Sequence, residues 1–200
     1  MKWAFKDICS VDVSKAAELL QSLPDEVWRL GRVRQLGYEN HKNARAIPLK
    51  WGLRVQPDIN DKIEAKKYFG RVVNTNNRNE YSEFWDEHKD TFEPLIHDVL
   101  SQCEYKNPKV ARILVTTIPA HDEIKPHVDG MGSLNDCNRL HIPIITNDKA
   151  MMIVEEEKKH FSAGSVFELN NIRVHAATNP GDKERVHIIL DIYDGDNKWL

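Results

Sequence analysis

The sequence predicts an α+β protein with a mainly β core, a barrel or jelly roll braced from outside by N-terminal helices. Apolar residues recur at helical spacing in the first part of the chain, but from residue 109 they alternate with a period of two. Clusters of Asn, Asp, Gly and Pro separate the alternating segments at short intervals. Six to eight short strands with this spacing are typical of a barrel or jelly roll.

Three segments of the first part predict helices, over residues 13–22, 58–69 and 81–103. Asp12 is a suitable N-cap for the first helix, and Pro24 would stop it. Gly70 is expected to end the second helix. Pro94 is expected to divide the third helix by occupying the first turn of a new piece.

The second part predicts six strands, over residues 110–118, 139–145, 151–155, 165–169, 172–177 and 185–193. No repeat or Gly/Ser linker divides the chain. We therefore expect a single domain over residues 1–200. Residues 1–108 would form a mainly helical or irregular support and substrate region, and residues 109–200 the core with the functional site.

The composition indicates an ordinary globular protein, with 40% hydrophobic and 30% charged residues. A formal charge of −3 argues against a general nucleic-acid binder. No apolar run approaches the ~20 residues of a membrane span. Cys9, Cys103 and Cys137 are odd in number and lack CxxC spacing, which favours reduced thiols in a cytoplasmic protein.

The motif with the clearest chemistry is His127-Val128-Asp129, in a segment bounded by Pro126 and Gly130. In extended backbone, residues two apart share a face, so this histidine and carboxylate could bind one ion. A second HxD triplet, at residues 88–90, falls in a predicted helix, where residues two apart diverge. The first triplet is therefore the candidate metal site.

His175 and Arg185 complete the candidate site, and the Arg follows the His by ten residues. A 2-His-1-carboxylate set with open positions is typical of non-haem Fe(II) oxygenases. An arginine beside it could hold the far carboxylate of a keto-acid co-substrate. A hairpin through residues 179–182 is expected to place His175 and Arg185 on neighbouring strands, with Arg185, His187 and Ile189 on one face.

A further pair, Arg139 and His141, would share one face of a strand. If that face is buried, the pair needs an anion; otherwise the face lies in solvent. The remaining isolated histidines are expected to be ordinary core or surface residues, and they are His41, His97, His121 and His160.

Residues from about 110 to 193 resemble the aspartyl/asparaginyl β-hydroxylase family of Fe(II)/2-oxoglutarate-dependent oxygenases. The resembling segments are His127-Val128-Asp129, Asn138-Arg139-Leu140-His141-Ile142-Pro143-Ile144, Gly164-Ser165-Val166-Phe167-Glu168-Leu169, His175-Ala176-Ala177-Thr178-Asn179 and Arg185-Val186-His187-Ile188-Ile189-Leu190-Asp191. The resemblance implies a double-stranded β-helix, a cupin-like jelly roll, with iron at one mouth.

The same resemblance implies roles for individual residues. His127, Asp129 and His175 would bind the catalytic Fe(II), and Arg185 would pair with the distal carboxylate of 2-oxoglutarate. Arg139 and His141 would also contact the co-substrate. Members of the family use O₂, release succinate and CO₂, and hydroxylate a substrate, here expected to be an amino acid, peptide or related small metabolite.

Asp129 brings the chain closer to bacterial members, such as proline hydroxylases, than to animal peptide hydroxylases, which have a glycine there. Two alternatives remain open at the level of sequence. One is a cupin-like metal protein that binds a small ligand without oxidising it, although a simple metal site needs no Arg185. The other is a non-catalytic interaction module, although such a module could lose any of the three ligands.

Overall fold

The computed structural model describes residues 3–37, 39–74, 79–129 and 136–195, so the predicted boundary at Gly130 lies outside the described residues. The described strands are β1 (Phe5–Ser10), β2 (Arg45–Lys50), β3 (Pro108–Ile118), β4 (Asp122–His127), β5 (Asn138–Ile145), β6 (Met151–Val154), β7 (Glu157–Lys159), β8 (Ser165–Leu169), β9 (His175–Asn179) and β10 (Arg185–Asp194). The helices are α1 (Ser14–Ser22), α2 (Arg32–Gly37), α3 (Lys62–Asn74) and α4 (Glu83–Ser101), with 3₁₀ turns at Val27–Gly31 and Glu39–His41. No described helix is long and apolar enough to span a membrane.

The strands form two antiparallel sheets, as a double-stranded β-helix requires. The larger sheet has six strands in the order β1-β8-β5-β10-β3-β2, and the smaller has four in the order β4-β9-β6-β7. One apolar cluster joins the sheets, since it combines Ile118 and Phe167 of the larger sheet with Met152 and Ala177 of the smaller. The predicted cupin-like jelly roll is confirmed.

The main core lies on the other face of the larger sheet, where the helices pack. Leu20 of α1 and Phe92 of α4 are buried against Ile113, Ile142 and Ile188 of the sheet. Alternation along the strands therefore sends one set of side chains towards the helices and the other between the sheets. The inward set of β5 and β10 includes Arg139, His141 and Arg185, all of which line a pocket.

Residues 1–108 contribute more to the sheet than the sequence suggested, because β1 and β2 form its two edges. Pro48 argues against a strand, yet a proline is tolerated at a sheet edge, where it removes no hydrogen bond from a second neighbour. β1 has a register shift between Asp7 and Cys9, which obscures its alternation. These local irregularities explain why both strands were missed.

Helix α1 begins one residue later than predicted, and the Asp12 carboxylate accepts the Ser14 amide N–H at 2.9 Å. The bounds predicted for α3 were wrong at both ends. The Asp61 carboxylate accepts the N–H groups of Ile63 and Glu64, each at 2.9 Å, so the helix begins after that residue. It then continues through Gly70 to Asn74.

The division of α4 at Pro94 was also wrong, because the break occurs at His88, which has φ −122° and ψ 18°. Proline lacks an N–H, so Pro94 leaves the carbonyl of Asp90 without its usual helical donor. Lys15 Nζ of α1 donates to that carbonyl at 2.8 Å. The helix therefore passes through Pro94 with the freed acceptor satisfied from a neighbouring helix.

The predicted hairpin between His175 and Arg185 does not form. β9 pairs with β4 and β6, whereas β10 pairs with β3 and β5, so the turn crosses from one sheet to the other. The buried Asn179 amide closes this crossing by donating to the carbonyls of Ile118, Pro119 and Lys183 at 2.9–3.0 Å. The two site residues therefore approach each other across the space between the sheets.

Candidate active site

The two candidate metal histidines are cross-strand partners in the smaller sheet, since His127 of β4 stands opposite His175 of β9. The register shifts between Ile124 and His127, where three steps along β4 correspond to two along β9. Without this bulge, Pro126 would stand opposite His175. The bulge therefore brings the two imidazoles together, with ring centroids 4.4 Å apart.

Asp129 lies two residues beyond β4, and its backbone N–H donates to the Asn171 carbonyl at 3.2 Å. Its carboxylate oxygens lie 3.6 Å from His127 Nε2 and 3.3 Å from His175 Nε2. The candidate ligand atoms of the three residues all lie within 4.8 Å of one another. The other HxD triplet, at residues 88–90, lies on α4 outside this cluster.

Hydrogen bonds leave the right ring nitrogens available for a metal. His127 Nδ1 is 2.7 Å from the Lys125 carbonyl, and His175 Nδ1 is 2.9 Å from the Arg173 carbonyl. Since a carbonyl only accepts, each Nδ1 carries the proton and each Nε2 keeps a free lone pair. The donor set therefore fits Fe(II), with two imidazoles and one carboxylate.

Burial keeps both histidines neutral, as a metal ligand must be. Burial and then the charges of His175 and Arg139 lower the pKa of His127 to about 4, against the opposing hydrogen bond to the Lys125 carbonyl. Burial likewise lowers the pKa of His175 to about 4. At neutral pH, no proton competes for either Nε2.

Arg139 links the Asp129 carboxylate to the buried carboxylate of Asp191. Its guanidinium donates to the Asp129 carboxylate and forms a two-pronged pair with Asp191, with Nε–Oδ1 at 2.8 Å and Nη2–Oδ2 at 3.1 Å. Arg112 lies on the other side of Asp191, 3.4 Å from Oδ2. Burial alone would raise the pKa of Asp191, but Arg139 and then Arg112 outweigh it and lower the pKa.

Arg185 is a buried cation that lines the same pocket and is only 3% exposed. Its Nη2 donates to Met152 Sδ and His187 Nδ1, each at 2.8 Å. Among the described residues, no carboxylate forms an ion pair with it. Burial lowers the pKa of Arg185 to about 9, so it remains charged at neutral pH. A buried cation with these neutral neighbours fits an incoming anion.

His141 lies beside Arg185, 5% exposed and stacked on Phe167 with ring centroids 5.1 Å apart. Within the described part of the chain, its buried Nε2 has no hydrogen-bond partner. Burial and then the charge of Arg185 hold the pKa of His141 well below its usual value. The face shared by Arg139 and His141 is therefore turned into the pocket and away from solvent.

Sequence reasoning missed two residues of the same pocket, Arg34 of α2 and His41 of the following 3₁₀ turn. His41, expected to be ordinary, is buried, and its ring centroid lies 5.1 Å from that of His127. Neither residue belongs to a motif, because only the fold brings this segment over β4. Of the other isolated histidines, His97 is exposed and His160 bonds the Ala150 carbonyl at 3.0 Å.

Residues 79–194 match the sequence model of the aspartyl/asparaginyl beta-hydroxylase family. The chain belongs to this family. This aspartyl/asparaginyl β-hydroxylase family member is accordingly an Fe(II)/2-oxoglutarate-dependent hydroxylase, with Fe(II) as cofactor and 2-oxoglutarate as co-substrate. Membership favours the oxygenase over the cupin-like binding protein and the interaction module. No curated protein sequence matches the chain significantly.

Several solved structures are similar to this family member. It is similar to viral collagen prolyl hydroxylase from Paramecium Bursaria Chlorella virus-1 in its 2OG complex, over 98% of both chains, with TM-score 0.51 and 9% identity. A 2OG-Fe(II) oxygenase family oxidoreductase from Burkholderia pseudomallei matches over 96% of both chains, with TM-score 0.45 and 13% identity. AerE from Microcystis aeruginosa matches over 42% of this chain and 36% of its own, with TM-score 0.34 and 16% identity.

Proposed function

We propose that the protein is an Fe(II)/2-oxoglutarate-dependent dioxygenase that hydroxylates an amino acid, a peptide or a related small metabolite. The observation that carries this proposal is the enclosure of Arg185, without a carboxylate partner among the described residues, in the pocket that holds the His-Asp-His cluster. A metal site alone needs no such cation, whereas a dicarboxylate co-substrate does.

His127, Asp129 and His175 would hold the iron through two Nε2 atoms and one carboxylate oxygen. Bound iron and 2-oxoglutarate supply the oxidising chemistry, in which O₂ and the keto acid yield succinate and CO₂ while a substrate C–H becomes C–OH. The chain itself binds and orients the reactants. Pocket-lining Ile124, Ala177 and Ile189 provide apolar walls that limit access of water.

Arg185 would bind the distal carboxylate of 2-oxoglutarate, and His141, whose Nε2 has no hydrogen-bond partner among the described residues, would line the same pocket. Contact between Arg139 and the co-substrate stays a prediction. In its present geometry, Arg139 donates to Asp129 and Asp191, which favours a role in orienting the carboxylate ligand.

We further propose that residues 1–200 act as one domain. Residues 109–200 would carry the iron, and residues 1–108 would support the sheet and select the substrate. Arg34 and His41 support this division, because they reach the iron pocket from the first part. Cys9, Cys103 and Cys137 are not in disulfide bonds, which is consistent with a cytoplasmic location. We propose that location together with the absence of a nucleic-acid or membrane partner.

The test is an anaerobic titration of the Fe(II)-loaded protein with 2-oxoglutarate, in which the weak visible charge-transfer band of the iron–keto-acid complex is recorded. The band is expected in the wild type and is expected to be lost in His127→Ala and His175→Ala. His97→Ala, which removes an exposed histidine on α4, is the matched control and should retain the band.

Iron binding without a band would contradict the keto-acid assignment and favour a metal protein of another kind. Failure to bind iron at all would contradict the ligand assignment itself. If the band forms, succinate release in air then provides the assay for substrates.

A further inference from the structure

Arg34 lies on α2 and lines the pocket that holds the His-Asp-His cluster. Its neighbour Val33 is buried in a cluster with Trp51, Tyr68 and Leu114, so α2 is fixed against the body of the protein. The Arg34 guanidinium is thereby presented to the pocket from an anchored helix, beside His41 and Ala44.

No hydrogen bond or ion pair joins the Arg34 guanidinium to another group in the described part of the chain. Position 38 and residues 130–135, which adjoin the site in sequence but lie outside the described residues, contain no Asp or Glu. Burial, and then the charge of Arg139, lowers the pKa of Arg34 to about 10, so it is still a cation at neutral pH.

The other cations of the pocket have counter-charges. Arg139 is paired with Asp129 and Asp191. Under the proposed function, the distal carboxylate of 2-oxoglutarate neutralises Arg185, its keto-carboxylate together with Asp129 offsets the two charges of Fe(II), and Asp191 remains with Arg139. Arg34 alone, among the described pocket residues, then keeps a positive charge that nothing balances. A partly desolvated cation of this kind favours binding of an anion.

Arg34 and Arg185, which form no ion pair within the described part of the chain, act on different groups of the pocket. Burial and then Arg34 lower the pKa of His41, and Arg34 also contributes, after burial, to the lowered pKa of His127. Burial and then Arg185 lower the pKa values of His141 and His187. Arg34 therefore acts on His41 and His127, whereas Arg185 acts on His141 and His187 of the larger sheet.

We propose that the substrate carries a carboxylate group and that Arg34 binds this group. The carbon to be hydroxylated would then lie over the metal site formed by His127, Asp129 and His175. This inference rests on the proposed function, since it assigns the interior arginine to the co-substrate. A planar guanidinium can hold a carboxylate through two parallel hydrogen bonds, which fixes both position and orientation. The carboxylate belongs either to a free amino acid or to an acidic side chain within a peptide.

The test uses the Fe(II)- and 2-oxoglutarate-loaded protein and matched pairs of probes. The probes are acetate, the free L-amino acids, and N-acetyl-aspartate and N-acetyl-glutamate α-amides, each compared with its uncharged carboxamide. Binding is followed anaerobically as a change in the visible charge-transfer band, and turnover as succinate release in air. We expect the acids, but not the corresponding amides, to perturb the band. We also expect one of the two sets of acids, the free amino acids or the capped acidic residues, to stimulate succinate release.

Arg34→Gln should weaken acid binding about 10- to 100-fold, the effect of losing a charge-assisted pair of hydrogen bonds. Arg34→Lys should recover part of that loss, because it restores the charge without the planar fork. The matched control is Arg29→Gln, which neutralises an exposed arginine on the preceding 3₁₀ turn and should bind acids like the wild type. In all three variants the band itself should form, which shows that iron and co-substrate still bind.

Equal binding of acid and amide, equal behaviour of Arg34→Gln and Arg29→Gln, or no response to any acid would each overturn the inference. Preference for free amino acids would identify an α-carboxylate as the Arg34 ligand, and preference for the capped residues would identify a side-chain carboxylate. Absence of the charge-transfer band in the wild type is a different result, since it overturns the proposed function as well.

Discussion

At the scale of single residues, the site is organised by which charges are paired and which are not. A chain of ion pairs with alternating charges leads from the candidate metal site into the core, and its members are Asp129, Arg139, Asp191 and Arg112. Arg185 has only Met152 and His187 as hydrogen-bond partners among the described residues. The ion pairs fix the positions of the site residues, and Arg185 remains available to bind an anionic ligand.

Arg185→Ala is predicted to weaken 2-oxoglutarate binding about 10- to 100-fold, because a charge-assisted pair to the distal carboxylate is lost. Iron affinity should change little, since Arg185 is not among the candidate ligands. Both constants can be measured by anaerobic titration of the visible band. Arg54→Ala, on the surface and paired with Asp86, is the control. Unchanged co-substrate affinity would mean that another group binds the distal carboxylate.

Asp191→Asn is predicted to reduce the free energy of unfolding by about 3 kcal/mol, because it leaves Arg139 and Arg112 buried without their shared anion. It should also weaken iron binding, since Arg139 would then have Asp129 as its main partner and compete with the metal. Urea denaturation and iron titration measure the two effects. Asp182→Asn, at an exposed surface ion pair, should change stability by less than about 0.5 kcal/mol. Similar values for both variants would contradict the structural role of Asp191.

At the scale of elements, the segment that leads from β1 to α1 is held against the turn before β8 by one close backbone contact. Gly164 has φ +81°, its N–H donates to Pro143, and its carbonyl accepts from Val11 at 3.0 Å. A Cβ at this position would collide with the Val11 carbonyl oxygen. The turn before β8 therefore needs glycine both for its backbone conformation and for the approach of the neighbouring chain.

Gly164→Ala is predicted to lower the free energy of unfolding by about 2 kcal/mol or more, the sum of left-handed backbone strain and a steric clash. Gly195→Ala is the matched control, because its φ is +78° but nothing lies within 4 Å of the added Cβ. It should cost only the backbone term, about 1 kcal/mol. Equal losses in urea denaturation would show that the contact with Val11 contributes nothing.

The sequence predicted those elements whose pattern is local. The strands ending in Ile118, Ile145 and Leu169 were found because each is a short run rich in β-branched and other apolar residues, bounded by turn residues. β2 was missed because Pro48 argues against a strand unless it is known to lie at an edge. The break in α4 was misplaced, because the effect of Pro94 depends on Lys15 of another helix, which no local pattern records.

The candidate site was predictable to a similar extent. His127 and Asp129 share a face through local backbone geometry, and the structure places His175 with them. The prediction that a hairpin brings Arg185 next to His175 was wrong, although Arg185 reaches the same pocket from the larger sheet. Arg34 and His41 carry no motif, and their place over the pocket follows from tertiary packing alone.

At the scale of the whole molecule, the pocket lies between two sheets and excludes enough water to keep its histidines neutral. His141 and His187 are buried, and burial followed by the charge of Arg185 holds the pKa values of both well below 6.5. In the unfolded chain, these imidazoles would take up protons near their ordinary pKa of about 6.5. Folding therefore becomes linked to pH over the acidic side of neutrality.

The metal-free protein is predicted to lose stability as the pH falls from about 6.5 towards 4. In this range the unfolded chain binds more protons than the folded one, and each suppressed histidine adds up to about 1.4 kcal/mol per pH unit. His127 and His175, with pKa values of about 4, contribute in the same direction. Urea denaturation at pH 7.5, 6 and 5 measures the trend.

His97→Gln, which removes an exposed histidine, should leave the pH dependence of stability unchanged. A free energy of unfolding that is constant between pH 7.5 and 5 would contradict the burial of neutral imidazoles.

The bulge in β4 has a consequence for how chains of this kind can diverge. Because the bulge absorbs one additional residue, Ile124 and His127 both line the pocket although they are three residues apart. Deleting Lys125 would restore a regular ladder in which Ile124 still stands opposite Ala177 and His127 opposite His175. A homologue with a one-residue gap before its HxD motif would thus keep both histidines on the pocket face, so this strand accepts either spacing.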